Sequence, residues 1–139
     1  MKKYLSCFIV CLLPLLPTSA SAQGKAQEET LRAVIDADGK QRIKILGGSN
    51  FFKPNHIVVK VNVPVELSVS LESGIVPHTF VIKAPGAGIV IDESLDTHPK
   101  TFAFTPTAVG KYPFHCRNKL LFFKSHQEKG MEGILEVVD

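Results

Sequence analysis

The 139-residue chain contains no tryptophan and only two tyrosines, and its sulfur is almost as scarce. Cys7, Cys11 and Met1 all fall in the first eleven residues, which leaves Cys116 and Met131 as the sulfur of the body of the chain. Only one long apolar run exists, Leu5 to Leu16, so a membrane protein of several spanning helices is excluded. Charge is modest at 21% against 45% hydrophobic residues, which excludes an intrinsically disordered chain and permits one compact core. Repeats, low-complexity tracts and a linker long enough to divide two domains are lacking as well.

The apolar run sits in a recognisable frame. Lys2 and Lys3 precede it, Pro14 and Pro17 break it, and Ala20-Ser21-Ala22 closes it. A membrane anchor is the competing reading, but about twelve apolar residues are too few to cross a bilayer. Residues 1–22 are therefore expected to be a secretory signal peptide cleaved after Ala22, leaving no membrane span. Its removal takes away Lys2 and Lys3, and the formal net charge falls from +3 to +1. The basic stripe expected of a nucleic-acid-binding surface is thus missing. Cys7 and Cys11 leave with it, so no internal disulfide can form. A lone thiol in an oxidising compartment then needs protection by burial, metal ligation or a chemical role.

After a polar stretch over 23–30, expected to be a flexible N-terminus, apolar residues alternate with polar ones in short runs rather than at helical spacing. Runs at 31–35 and 41–46 flank a turn at Asp38-Gly39. Ile57, Val59 and Val61 continue into Val63, Val65, Leu67, Val69 and Leu71 around a corner at Asn62 and Pro64. Further runs follow at 79–83, 88–91, 101–105, 111–116 and 133–138. This pattern predicts an all-β sandwich of seven to eight strands forming a single domain over 31–139. Asn118 to Lys129 reads either as a short helix or as a packed loop, and Asp92 to Asp96 as a solvated acidic loop.

The chemistry concentrates near the C-terminus. Cys116 is followed after nine residues by His126 and after four more by Met131, while His78 stands upstream at the mouth of a predicted strand. Alone, Cys116 reads as a buried structural thiol. In company with two imidazoles and a thioether it reads as a copper ligand, because two His, one Cys and a weak Met form the ligand set of a type 1 copper site. Zinc suits the set less well, since its closed sites rarely use methionine.

At these residues the sequence resembles the cupredoxins, over about 51–138. Phe52-Lys53-Pro54-Asn55-His56-Ile57-Val58-Val59 looks like the family's early strand, and Phe102-Ala103-Phe104-Thr105-Pro106-Thr107-Ala108-Val109-Gly110-Lys111-Tyr112 like its approach to the cysteine. His78, Cys116, His126 and Met131 match its ligands in order. The resemblance implies a Greek-key β-sandwich binding one copper ion per chain, a monomer, single-electron redox cycling and no enzymatic activity. It also places His126 exposed at one pole, with His78 deeper. Two departures stand out: Asn62 where the family often has Gly, and Thr79 where it has Asn after the first histidine.

The nine-residue interval resembles the ligand loop of periplasmic copper-tolerance cupredoxins and of copper nitrite reductases, which implies a periplasmic protein with a blue or green site. Copper tolerance and electron transfer remain as alternatives. An enzyme of the nitrite reductase or oxidase type would need a second copper near His115. Its expected partner, five residues after His78, is replaced by Lys83. His56 and His98 read as solvated polar positions. Leu120 to Phe123 is either core beneath the long loop or an exposed patch for a redox partner.

Overall fold

The structure, a computed structural model, describes residues 28–139. The expected signal peptide and most of the expected flexible N-terminus lie outside them. Ten strands form two sheets: β1 (Thr30–Arg32), β2 (Gln41–Gly47), β3 (Phe52–Lys53), β4 (His56–Lys60), β5 (Val65–Leu71), β6 (His78–Ala84), β7 (Ile89–Leu95), β8 (Lys100–Phe104), β9 (Gly110–His115) and β10 (Glu132–Val138). One sheet has the order β1-β4-β10-β9-β6-β7 and the other β3-β2-β5-β8. The only helical turns among the described residues are 3-10 turns at Pro85–Ala87 and Gln127–Lys129, and no helix there is long and apolar enough to cross a membrane.

Alternation decides which faces meet. In β2, Gln41, Ile43, Ile45 and Gly47 are buried while the residues between them are exposed, and β5 buries Val65, Val69 and Leu67 in the same way. A period of two places one face of each strand towards the opposite sheet. β6 is buried on both faces from His78 to Ile82, as a strand inside a six-stranded sheet must be when loops cover its outer side. Phe80 sits at the centre of the core, 5.4 Å from Phe52, 5.2 Å from Phe114 and 6.1 Å from Phe102 between ring centroids. Gln41, a fully buried polar side chain, is satisfied by the β4–β5 corner: its amide donates to the carbonyls of Lys60 and Val63, and its oxygen accepts from the Lys60 N–H.

The architecture agrees with the all-β expectation, with ten strands rather than seven or eight. The run expected over 31–35 divides between the sheets: β1 pairs with β4 in parallel, whereas Ile35 forms an isolated bridge to Gln41. The turn between them uses Gly39 at φ +80°, a conformation that only glycine adopts freely. Asn62 turns the β4–β5 corner at φ +58°, where Asn tolerates the left-handed region better than most residues. The acidic stretch expected to be a loop is instead strand, because β7 runs on to Leu95 and pairs with β6 throughout. Asp92 and Glu93, which point to opposite faces of the strand, are both exposed, and Lys83 approaches Asp92 at 3.5 Å. Residues 118–129 form a loop that closes on a 3-10 turn.

Candidate metal centre

Three elements converge at one end of the sandwich. β6 and β9 pair antiparallel with Val81 opposite His115 and Ile82 opposite Phe114. Continuing that register beyond the last pair sets Cys116 beside Phe80 and Arg117 beside Thr79, so two segments distant in sequence share one ladder. The long loop then returns to this ladder. Met131 accepts the Cys116 N–H through its carbonyl at 3.0 Å and donates its own N–H to the His126 carbonyl at 2.9 Å, and the His126 N–H binds the Asn118 carbonyl at 2.9 Å. Gly133 lets β10 pass close to Phe114, because a Cβ there would lie 2.3 Å from that ring and 2.3 Å from the Asn55 carbonyl.

The donor atoms of His78, Cys116 and His126 meet at the end of this ladder. Their Nδ1 atoms are 3.1 Å apart, and the Cys116 Sγ lies 3.8 Å from His78 Nδ1 and 3.5 Å from His126 Nδ1. Among the described residues this is the one cluster of three such donors able to hold an ion. An ion bound to nitrogen and sulfur at about 2.0–2.3 Å holds its donors roughly 3–4 Å apart, so the spacing fits a metal without rearrangement. Both imidazoles have lowered pKa values, His78 by burial and then by the neighbouring His126, and His126 by burial and then by Lys129. Both shifts favour the neutral imidazole, the form that offers a lone pair to a metal.

The Thr79 N–H points at Cys116 Sγ from 3.4 Å. Thr79 also braces the loop: its hydroxyl accepts the Arg117 N–H at 3.0 Å and donates to Asn118 Oδ1 at 3.1 Å, while the Asn118 amide donates to the Pro77 carbonyl at 2.8 Å. A threonine thus braces the loop at the position where the resemblance leads one to expect asparagine. Asn118 was not singled out from the sequence, because nothing in its local spacing shows that it reaches across to residue 77.

His126 is buried, at 8% exposure, rather than exposed as expected, and His78 is the deeper of the two at 5%. Met131 is fully buried in the same core cluster. His115 lies outside the donor cluster, paired across the ladder with Val81 and Glu132. His56 departs from its expected solvated state. It is half-buried, with Nδ1 2.7 Å from a Glu28 carboxylate and Nε2 2.8 Å from Glu136, which raises its pKa. His98 is exposed beside Asp96. Leu120 to Phe123 is exposed rather than core.

A two-sheet sandwich with two histidines and a cysteine converging at one pole defines a class of mononuclear metal-binding β-domain. The chain belongs to the Cupredoxin-like domain family, which it matches over residues 8–131. Its fold is similar to that of the metal-binding domain of the Cu(I)-exporting P-type ATPase CopA of Streptococcus pneumoniae D39, at 21% identity and a TM-score of 0.60 over 82% of this chain and 100% of that one. It is also similar to auracyanin from Roseiflexus castenholzii, at 21% identity and a TM-score of 0.54 over 70% of this chain and 97% of that one. A third similar structure is a heme-copper terminal oxidase chain, at 18% identity and a TM-score of 0.58 over 89% of this chain and 80% of that one. No curated protein sequence matches the chain.

Proposed function

We propose that the protein is a periplasmic type 1 copper protein holding one ion per chain through His78, Cys116 and His126, with Met131 as a weak fourth ligand. The convergence of the two Nδ1 atoms and the Cys116 sulfur carries this reading. Copper supplies one-electron redox chemistry when bound, and soft sulfur beside borderline nitrogen suits both of its oxidation states. The protein's part is to keep the donors still. Four phenylalanines pack together in the core, with Phe80 two residues from His78 along β6 and Phe114 two residues before Cys116, and the Thr79–Asn118 brace ties the loop to β6. A site that moves little between states exchanges electrons with little reorganisation.

In this reading the domain is a monomeric carrier serving copper tolerance or electron transfer, not an enzyme, and residues 1–22 direct it to the periplasm. The test is reconstitution with copper followed by metal analysis and visible spectroscopy. One copper per chain and an intense thiolate-to-copper band, lost on reduction and lost in Cys116→Ser, are expected. A Cys116→Ser variant that keeps the band would overturn the assignment.

A further inference from the structure

The loop between Cys116 and His126 spends its apolar residues on water. Leu120, Leu121, Phe122 and Phe123 are 66%, 76%, 85% and 51% exposed, although the core elsewhere absorbs nearly every large hydrophobic residue of the strands. Leu121 is held at φ +46°, a backbone region that costs a non-glycine residue energy, within a turn closed by the Phe123 N–H on the Leu120 carbonyl at 3.0 Å. The display is thus built into the fold. Lys119 and Lys124 stand exposed at the two stems of the tip. Glu128, which follows, accepts the Ser125 N–H at 2.7 Å, and its pKa is lowered first by Ser125 and further by the charges of Lys119 and Lys124, so one acid partly offsets these two cations. The bond between Asn118 and the Pro77 carbonyl brings the exposed Ile75 and Val76 to the same pole. Two other acids, Glu72 and Asp96, line the cleft beside Ile75, and Asp92 is paired with Arg117.

We propose that this loop is a membrane-docking tip, which inserts Leu120 to Phe123 into the interfacial region of a bilayer while Lys119 and Lys124 meet anionic headgroups. Phe122 and Phe123 lie against each other at 4.8 Å between ring centroids, and with Leu120 and Leu121 they form one continuous apolar tip, each residue more than half exposed, that an enveloping apolar medium covers. Ammonium groups at the base of such a tip reach the headgroup phosphates while their aliphatic stems remain with the acyl chains. The cysteine and histidine donors share this pole, so docking holds the site at the bilayer surface. The inference uses only the loop's shape and charge, and its test does not depend on copper.

Because the chain has no tryptophan, Phe122→Trp places a unique reporter in the tip. With vesicles of equimolar phosphatidylglycerol and phosphatidylcholine, the emission of the full chain should shift to the blue and be quenched by lipid brominated high on the acyl chain. In co-sedimentation with the same vesicles, Leu121→Ser/Phe122→Ser should weaken binding ~10-fold or more relative to wild type. Lys119→Ala/Lys124→Ala should remove the preference over pure phosphatidylcholine. All of these proteins keep residues 1–27, and the same variants prepared from Gln23 onward separate the loop's binding from that of the N-terminal apolar run. A reporter left unshifted and unquenched by both vesicles, or a serine variant that binds as wild type does, would refute the proposal. A reporter that ignores vesicles but shifts on titration with an acidic electron-transfer protein would overturn it in favour of protein docking.

Discussion

Replacing Thr79 by valine keeps the shape of the side chain and removes only the hydroxyl. Thr79 is buried, and that hydroxyl joins two groups on the ligand loop, the Arg117 N–H at 3.0 Å and Asn118 Oδ1 at 3.1 Å. Its distance of 3.7 Å to Cys116 Sγ adds little, and the backbone N–H that serves the sulfur survives the change. Each partner left unsatisfied in a buried setting costs ~1–3 kcal/mol, and both here are only part-buried, so the lower end applies. The expected destabilisation is ~2 kcal/mol in chemical denaturation of the copper-free protein. In Thr79→Val/Asn118→Ala the losses should overlap, with a coupling of ~1 kcal/mol, since one interaction is removed twice. Thr79→Asn should recover most of the stability by restoring a polar bridge. The copper-loaded valine variant should keep its ion but shift its charge-transfer band, because the residue after Cys116 loses its tether. A valine variant within ~0.5 kcal/mol of wild type, with an unaltered band, would show that the hydroxyl is idle and that the loop is held by packing alone.

Phe80→Ala should cost ~3–5 kcal/mol in the same denaturation experiment, as the ring is fully buried among three others and its loss leaves a cavity under His78. Met131→Leu should retain copper and colour while raising the reduction potential, checked by voltammetry, because a weak thioether tunes the site more than it holds the ion. Stability should also depend on pH through His56. Glu28 and then Glu136 raise its pKa, so their stabilisation is complete below the ordinary imidazole value and is lost as pH rises through the folded value. Glu136, its pKa lowered first by His56, contributes above the ordinary carboxylate value and loses that contribution as pH falls through its own folded value. The urea midpoint should therefore peak between these two limits, and His56→Gln should remove the decline on the alkaline side.

The sequence alone determined the fold class and the donor types. Alternation with a period of two is a local property, and it marked β2, β5 and β10 before any partner was known. Cys116, His126 and Met131 are also legible together, since they lie on a single loop between two strands. Tertiary structure decided what depends on distant partners. The pairing of β6 with β9 carried His78 across 38 residues to Cys116. It also set Thr79 and Asn118 into one hydrogen-bonded brace that no local pattern announces. The loop's path buried His126 along with the deeper His78 and turned Leu120 to Phe123 outward, because hydrophobicity states what a side chain prefers and not whether the backbone can reach the core. The first strand run split between two sheets, and the acidic stretch joined β7, for the same reason: backbone groups take the nearest unpaired edge, and which edge is nearest is known only once the sandwich has closed.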